Sequence, residues 1–317
     1  MKKVIPILKE RAIYVALIAL FIIFSCLSSD FLSPNNLINI ARQIAVLGIA
    51  SVGMTYVILI GGIDLSTGSI ITFVNIIAAY LMVNMGMNMW LAILIALLSS
   101  TAIGFLNGLL VANMNIPSLI VTFASQTIFE GFAYILSKGM PIFGFPKGFA
   151  TIGQGYVGFI PIPVIVMIVI FLIGGFILNK TYFGRYFYAL GGNETAAQMA
   201  GIRVKRVKYL IFSLSGLFAG IAGIIMLART NSGQPTAGKG YEFQVITAVA
   251  LGGVSLSGGS GKLSNVVAGV LIMGILKNGM VLLNISEYVQ MVVEGLILLL
   301  AVGFDCLQKR KLGYQNH

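Results

Sequence analysis

Residues 181–208 read TYFGRYFYALGGNETAAQMAGIRVKRVK, a polar and amphipathic stretch that lies between two long apolar runs. The stretch carries the basic side chains Arg185, Arg203, Lys205, Arg206 and Lys208. Loops with an excess of Lys and Arg lie on the cytoplasmic face of a membrane. Because residues 196–199 are helix formers, this loop is more than a connector. We expect it to dock a soluble partner that supplies energy to a membrane protein.

The composition also indicates a membrane protein. Hydrophobic residues make up 58% of the 317 residues, charged residues only 9%, and the mean hydropathy is +0.99. A soluble protein carries about 25% charged residues. The net charge of +11 comes from clusters near both ends of the chain and in residues 181–208. That distribution is typical of the cytoplasmic flanks of spans in a lipid bilayer, and it argues against nucleic acid as a partner.

A helix needs about 20 apolar residues to cross the hydrocarbon core. Counting on that basis predicts ten spans, near residues 12–29, 40–60, 69–85, 91–113, 118–137, 161–179, 209–229, 243–257, 264–284 and 287–306. An even number places both termini on one side. Their basic residues make that side the cytoplasm: Lys2, Lys3, Lys9 and Arg11 at one end, and Lys309, Arg310 and Lys311 at the other. We predict an all-α polytopic membrane protein of about ten transmembrane helices.

Three segments depart from a plain helical span. The first apolar run is followed by no small-residue cleavage site, so we interpret it as a retained span and not as a signal peptide. The eighth span is short and contains Gly. Residues 139–160 are rich in Gly, Pro and Phe and predict an outside loop with a re-entrant piece. The whole chain, residues 1–317, is predicted to form a single transmembrane domain, with its cytoplasmic loop at 180–208.

Two pairs of similar segments point to internal repetition. The run GGIDLSTGS at 61–69 is echoed by GGVSLSGGS at 252–260, and the dipeptide at 107–108 is echoed at 278–279. The second pair lies five spans apart, as an inverted repeat requires. The first pair lies six spans apart and disagrees. An inverted repeat and a chance likeness in a Gly-rich chain both remain open.

The sequence offers no site for catalysis, metal or nucleotide. Residues 258–262 read GGSGK, but a phosphate-binding Walker A loop needs a Gly where Leu256 stands and a Ser or Thr where Leu263 stands. The single histidine is His317, and Cys26 and Cys306 are predicted at opposite faces of the membrane, too far apart to bridge. We therefore expect no enzyme, no metal site and no cofactor in this chain.

Charged residues inside spans are costly in lipid and usually face the interior of the bundle. Lys277 and Glu294 are predicted at similar depth on antiparallel neighbouring helices, which favours a structural ion pair over a role in translocation. Glu130 lies near the middle of the fifth span and has no obvious partner. It lines a pathway or forms hydrogen bonds as a neutral acid, and the sequence does not choose between the two.

Three further residues are candidates for a pathway or gate. Asp64 follows two glycines and precedes a span, as a polar group beside a broken helix would; capping of that span by Asp64 or Ser66 explains it equally well. Tyr241 and Glu242 lie in an outside loop rich in turn residues. That composition suits a gate or a docking edge for an extracytoplasmic partner, and it also suits an ordinary turn.

The chain resembles the permease subunits of ribose-type sugar ABC importers. The resemblance is based on the segments GGIDLSTGS at 61–69, FGRYFYALGGNETAA at 183–197, PTAGKGYE at 235–242, ALGGVSLSGGSG at 250–261, NGMVLLNIS at 278–286 and AVGFD at 301–305. These segments stand in the family's order and cover nearly the whole chain. Each alone is a weak signal, and together they are specific.

This resemblance implies a dimeric pore of two permease copies, two cytoplasmic ATPase subunits that use ATP, and an extracytoplasmic protein that delivers a monosaccharide. It implies a coupling role for residues that match the family's loop pattern: Gly184, Arg185, Gly191, Asn193, Ala196, Ala197 and Gly201. We expect alternating access in the cell (inner) membrane, with ribose as the first candidate sugar. An ion-coupled secondary transporter is the alternative; a structural or channel subunit leaves the long basic loop without a partner.

Overall fold

The computed structural model describes the backbone of residues 4–313 and the side chains of residues 13–307. Predictions that depend on Lys2, Lys3 and His317, and on the side chains of Lys9, Arg11, Lys309, Arg310 and Lys311, lie outside the described residues. Between these limits the chain is almost entirely helical. A two-stranded antiparallel hairpin interrupts it, formed by β1 (Tyr156–Val157) and β2 (Ile160–Pro161).

The helices follow one another with short connections. They are α1 (Val4–Leu27), α2 (Pro34–Leu59), α3 (Thr67–Ala79), α4 (Met89–Asn113), α5 (Ser118–Ser137), α6 (Phe149–Gln154), α7 (Ile162–Lys180), α8 (Tyr182–Gly192), α9 (Glu194–Met199), α10 (Val204–Thr230), α11 (Tyr241–Leu251), α12 (Leu263–Leu282) and α13 (Glu287–Gly313). A π-helical turn, Tyr80–Asn84, continues α3. Within the described chain, eight helices are long and apolar enough to cross a membrane, and Ile13–Leu27 and Tyr241–Leu251 are shorter apolar helices. The predicted all-α polytopic membrane protein is confirmed.

Helix α10 occupies the centre of the bundle, where it packs against α2, α3 and α4. Its approach to α4 is close because glycines face each other: a Cβ on Gly104 would overlap the Phe212 carbonyl oxygen, and a Cβ on Gly216 would overlap the Ser100 carbonyl oxygen. Small residues allow helix backbones to meet in this way in lipid, where apolar side chains gain little by leaving the solvent. The small-residue spacing in α10 therefore positions the core of the molecule.

One predicted span is shorter in the structure, and two segments between the spans contain helices. The eighth span was predicted at 243–257, but α11 ends at Leu251 and residues 252–262 are irregular, since Gly253, Gly258 and Gly259 have positive φ angles that end a helix. Residues 139–160 form α6 and the hairpin; Ile142 pairs with Gly233, and α6 packs on α10. Residues 181–208 contain the helices α8 and α9 and the first turn of α10, and their coupling role stays a prediction. The inverted repeat stays a prediction.

Candidate coupling surface and buried polar sites

Helix α8 is held against the membrane bundle by close backbone contacts. A Cβ on Gly184 would overlap the Leu178 carbonyl oxygen, and a Cβ on Gly191 would overlap the Leu59 carbonyl oxygen at the end of α2. Only glycine permits such approaches without displacing a neighbour. These two residues, predicted to belong to a coupling loop, therefore fix α8 to α7 and to α2.

The irregular segment 252–262 forms the other side of this junction. Gly259 donates its backbone N–H to the Leu59 carbonyl oxygen at 2.9 Å, and the Tyr188 hydroxyl donates to the Gly261 carbonyl oxygen at 2.9 Å. Burial raises the pKa of the Tyr188 phenol, so the group stays protonated and available as a donor. A rigid junction thus joins α8, the end of α2 and the segment that links α11 to α12.

Helix α9 projects from this junction with most of its surface exposed. The Asn193 side chain accepts from the Ala196 backbone N–H at 2.9 Å and so caps the helix. Ala197 is buried and anchors the helix, whereas Arg185, Asn193, Ala196 and Gly201 are exposed. Met199, the last residue of α9, is 79% exposed.

A buried hydrogen-bond network surrounds Asp64, in the connection between α2 and α3. Its Oδ1 accepts from the Ser66 backbone N–H at 3.0 Å and from the Ser66 hydroxyl at 2.5 Å; its Oδ2 accepts from the Ser215 hydroxyl of α10 at 2.8 Å. The Asn107 amide of α4 donates to the Ser66 oxygen at 3.0 Å. Burial raises the pKa of the Asp64 carboxyl, and the hydrogen bonds from Ser66 and Ser215 partly offset this rise. The carboxyl ties α3, α4 and α10 together.

Capping of α3 by Asp64 stays a prediction. Ser66 occupies the N-cap position of α3, but its side chain makes no capping hydrogen bond there. The Asp64 carboxylate accepts from the backbone N–H of Ser66, two residues further along the chain, as the side chain of a capping residue does. Asp64 thus lies buried in the connection between α2 and α3, where its hydrogen bonds link this connection to α10.

Glu242, at the start of α11, is 3% exposed and lies between α3 and α5. Its Oε1 accepts from the Gln126 amide at 3.1 Å. Its Oε2 packs against Gly68 and has no hydrogen-bond partner among the described residues. Glu130, half-buried one turn along α5, is near enough to act on Glu242 electrostatically. Two carboxyl groups and an amide therefore meet on one side of the bundle.

Lys277 and Glu294 meet in a second polar cluster. The Lys277 Nζ lies 4.0 Å from the Glu294 Oε1, and 5.7 Å from the centre of the Tyr241 ring. The Gln244 amide donates to the Glu294 carboxylate at 3.2 Å. Although Tyr241 and Glu242 are consecutive, they belong to different clusters, Tyr241 with Lys277 and Glu242 with Gln126.

Several contributing residues were missed by the sequence reasoning: Gln126, Tyr188, Ser215 and Gln244. Each pairs with a residue far away in the chain, at separations from 50 residues, for Gln244 and Glu294, to 151, for Asp64 and Ser215. Neutral polar residues in a span carry no charge signal that would set them apart. The described residues contain no group of three or more His, Cys, Asp and Glu side chains able to hold a metal ion.

Comparison with known proteins identifies the class. Residues 36–302 match the family described as branched-chain amino acid transport system / permease component. The chain belongs to this family of membrane permeases. No solved structure matches it.

The individual relatives are sugar permeases. The chain is 43% identical over 300 residues to the ribose import permease protein RbsC of Haemophilus influenzae, which covers 93% of both chains. It is 43% identical to the protein of the same name from Bacillus subtilis, over 94% of this chain and 93% of the relative. It is 41% identical to the L-arabinose transport system permease protein AraH of Escherichia coli, over 93% of this chain and 90% of the relative. The predicted resemblance to ribose-type permeases is confirmed.

Proposed function

We propose that this chain is the membrane-spanning subunit of an ATP-driven importer for a monosaccharide, with ribose as the first candidate. The observation that carries the proposal is the exposed helix α9, held by a buried junction to the membrane bundle, in a chain similar to ribose and arabinose permeases. ATP is used by separate cytoplasmic ATPase subunits, and this chain contributes no cofactor or metal site. An extracytoplasmic binding protein delivers the sugar, and a second copy of the chain completes the pore.

The coupling step starts at α9. An ATPase subunit that grips α9 moves α8 with it, because Asn193 joins the two helices and caps the second. The contacts of Gly191 and Tyr188 pass this movement to the end of α2 and to residues 252–262. From there it reaches α11 and α12. Tilting of these helices opens the pathway to alternate sides of the membrane.

The pathway uses the buried polar groups. Sugars are recognised through hydrogen bonds from their hydroxyl groups to carboxylates and amides, and Glu242 has one carboxylate oxygen without a partner in the described chain. Glu242, Gln126 and Glu130 provide acceptors and a donor at neighbouring levels of α5 and α11. Tyr241, directly before Glu242, is the gate candidate. Asp64 holds the inner ends of the helices in register, and the Lys277–Glu294 pair is structural.

In this arrangement the multi-pass protein lies in the inner membrane with both termini in the cytoplasm. The basic residues of 181–208 place α8 and α9 on the cytoplasmic side. Gly233, Gln234 and the hairpin then face outward, where the binding protein docks.

Radiolabelled sugar uptake into vesicles tests this function. The permease is reconstituted with the candidate ATPase and binding protein, and each component is omitted in turn. We expect uptake that requires ATP and all three proteins, with ribose and arabinose compared in the same vesicles. Uptake driven by a proton or sodium gradient without ATP would overturn the proposal in favour of a secondary transporter.

A further inference from the structure

The connection between α2 and α3, residues 60–66, lies between the junction that holds α8 and helix α5. On the junction side it packs against the segment 252–262: a Cβ on Gly258 would lie 2.7 Å from the Gly61 backbone nitrogen. The φ angle of Gly61 is +78°, a conformation that glycine adopts at little cost. Because α8 closely approaches the neighbouring Leu59 carbonyl oxygen, a displacement of α8 acts on the start of this connection.

Internal hydrogen bonds make the connection stiff. The Gly62 N–H donates to the Val57 carbonyl oxygen at 2.9 Å, which ties the connection to the end of α2. At the other end, the Asp64 carboxylate accepts from the Ser66 backbone N–H at 3.0 Å, just before α3. A segment that is braced in this way passes a displacement on instead of absorbing it.

Two hydroxyl groups of α5 hold the other side of the connection. The Ile63 N–H donates to the Ser118 hydroxyl oxygen at 3.0 Å. The Leu65 N–H donates to the Thr122 hydroxyl oxygen, also at 3.0 Å, and Thr122 is fully buried. The two spacings match, because four residues of a helix rise about 6 Å and two residues of chain span up to about 7 Å. Helix α5 therefore binds the connection in one register.

Helix α5 has few other buried attachments. It packs on α3 and α4, and its buried residues are Val121, Thr122, Ser125, Ala133 and Ser137. One turn after Thr122, the Gln126 amide donates to the Glu242 Oε1 at 3.1 Å. A shift at the start of α5 therefore changes the position of Gln126 against Glu242.

We propose that residues 60–66 carry the movement of α8 to α5, and that Ser118 and Thr122 are the positioning residues that transmit it. This inference rests on the proposed function and adds a branch to it, because the steps described above lead only to α11 and α12. Along the new branch, a displacement of α8 shifts the start of α5 and moves Gln126 relative to Glu242. The connection and α5 move together because a backbone N–H that loses its acceptor in a buried site is costly.

The first test needs the permease alone. Hydrogen–deuterium exchange is measured by mass spectrometry on the full-length protein in nanodiscs, in peptides that cover residues 60–66 and 118–126. Gly191→Ala should displace α8 and speed exchange in both peptides about fivefold, the factor that corresponds to the loss of one buried hydrogen bond. Gly192→Ala is the matched control, because a Cβ there meets nothing within 4 Å, and both peptides should exchange as in the wild type. Unchanged exchange at 118–126 in Gly191→Ala would contradict the proposal.

The second test compares variants of α5 in vesicles that contain the ATPase and the binding protein. The measured quantity is the sugar transported per ATP hydrolysed, which does not change when only the amount of folded protein falls. Thr122→Val removes the acceptor of the Leu65 N–H and should lower this ratio about fivefold, whereas Thr122→Ser keeps the hydroxyl and should restore it. The matched control is Thr127→Val, because Thr127 is exposed and its hydroxyl donates to the Phe123 carbonyl oxygen of its own helix. This control should keep the wild-type ratio.

The two tests separate the inference from the proposed function. A wild type without ATP-dependent uptake would contradict the proposed function, and the exchange measurements would still decide whether α8 and α5 are linked. A wild type that transports, together with a Thr122→Val variant of unchanged ratio, would contradict the inference alone. If Thr122→Val fails to fold, Ser118→Ala removes the other acceptor and is judged by the same ratio.

Discussion

The three buried carboxylates Asp64, Glu294 and Glu242 differ in the partners that stabilise them. Asp64 receives three hydrogen bonds from Ser66 and Ser215, whereas Glu294 has a cation and an amide as neighbours. Glu242 has only one hydrogen-bonded oxygen among its described contacts. An unsatisfied acceptor in a buried site is costly. Under the proposed function, this asymmetry separates the structural carboxylates of Asp64 and Glu294 from Glu242, which we place in the pathway.

Replacing Asp64 by alanine should destabilise the fold by about 2–4 kcal/mol, because the hydroxyls of Ser66 and Ser215 lose their acceptor in a buried site. Asp64→Asn keeps an acceptor oxygen at the same place and should lose less than half as much. Thermal unfolding of the purified protein in detergent measures both. Equal losses in the two variants would show that the hydrogen bonds are not what holds this site.

The ion pair is tested by exchanging its charges. Lys277→Glu and Glu294→Lys should each lower the thermal stability, since each places two like charges at about 4 Å. The double exchange should recover at least half of that loss. A double variant no more stable than either single variant would rule out the pair.

Glu242 should matter for transport more than for stability. Glu242→Gln keeps the shape of the side chain and a hydrogen bond to Gln126, so the protein should fold. It changes the acceptor that faces the proposed pathway, and uptake should fall at least tenfold. The measurement is sugar uptake beside thermal unfolding in the same preparation. Normal uptake in a stable Glu242→Gln protein would remove this residue from the pathway.

Sequence predicted contacts between residues best where the charge of a side chain and its depth in the membrane were enough to identify its partner. Lys277 and Glu294 could be paired from their distances to the ends of two neighbouring helices. The network of Asp64 could not be predicted, because its partners Ser215 and Asn107 are neutral and distant in sequence. The capping role of Asp64 stays a prediction; its carboxylate accepts from the backbone N–H of Ser66, just before α3.

At the level of helices, glycine decides how closely elements approach. Gly191 and Gly192 are adjacent, but only one of them has no room for a side chain: a Cβ on Gly191 overlaps the Leu59 carbonyl oxygen, whereas a Cβ on Gly192 meets nothing within 4 Å. Helix α8 is therefore fixed along one face and open along the other. The same substitution, glycine to alanine, can therefore be made on either face of α8 and its effects compared.

Gly191→Ala should displace α8 from the end of α2 and uncouple ATP hydrolysis from transport, with uptake reduced at least tenfold. Gly192→Ala removes the same glycine flexibility without the collision, so its uptake should stay within twofold of the wild type. Uptake and ATPase activity are measured in the same vesicles. Equal effects of the two variants would contradict the proposed junction.

Sequence predicted the helices well and their ends less well. Residues 196–199 were recognised as helix formers and lie in α9. The eighth span was predicted too long because apolar residues continue to Leu256, whereas the positive φ of Gly253 ends the regular structure earlier. The form of residues 139–160 depends on packing against α10, which local composition does not encode.

For the whole molecule, the all-α polytopic class followed from composition and length alone. Ten spans were predicted, whereas the described residues contain eight helices long and apolar enough to cross a membrane and two shorter apolar helices. The arrangement around α10 required the tertiary packing of small residues that are common throughout the chain. The proposed function gives the bundle and its peripheral helices separate roles. A central bundle with buried polar groups forms the pathway, and α8 and α9 connect it to an energy source outside the membrane.

The most direct test of this account replaces α9, Glu194–Met199, by a flexible Gly-Ser linker of equal length. Membrane insertion and monodispersity should match the wild type, because α9 contributes few buried side chains to the bundle. ATP-dependent sugar uptake should be abolished, together with the ATPase activity that the loaded binding protein stimulates. Uptake that survives the replacement would contradict the central claim that α9 couples an ATPase to this permease.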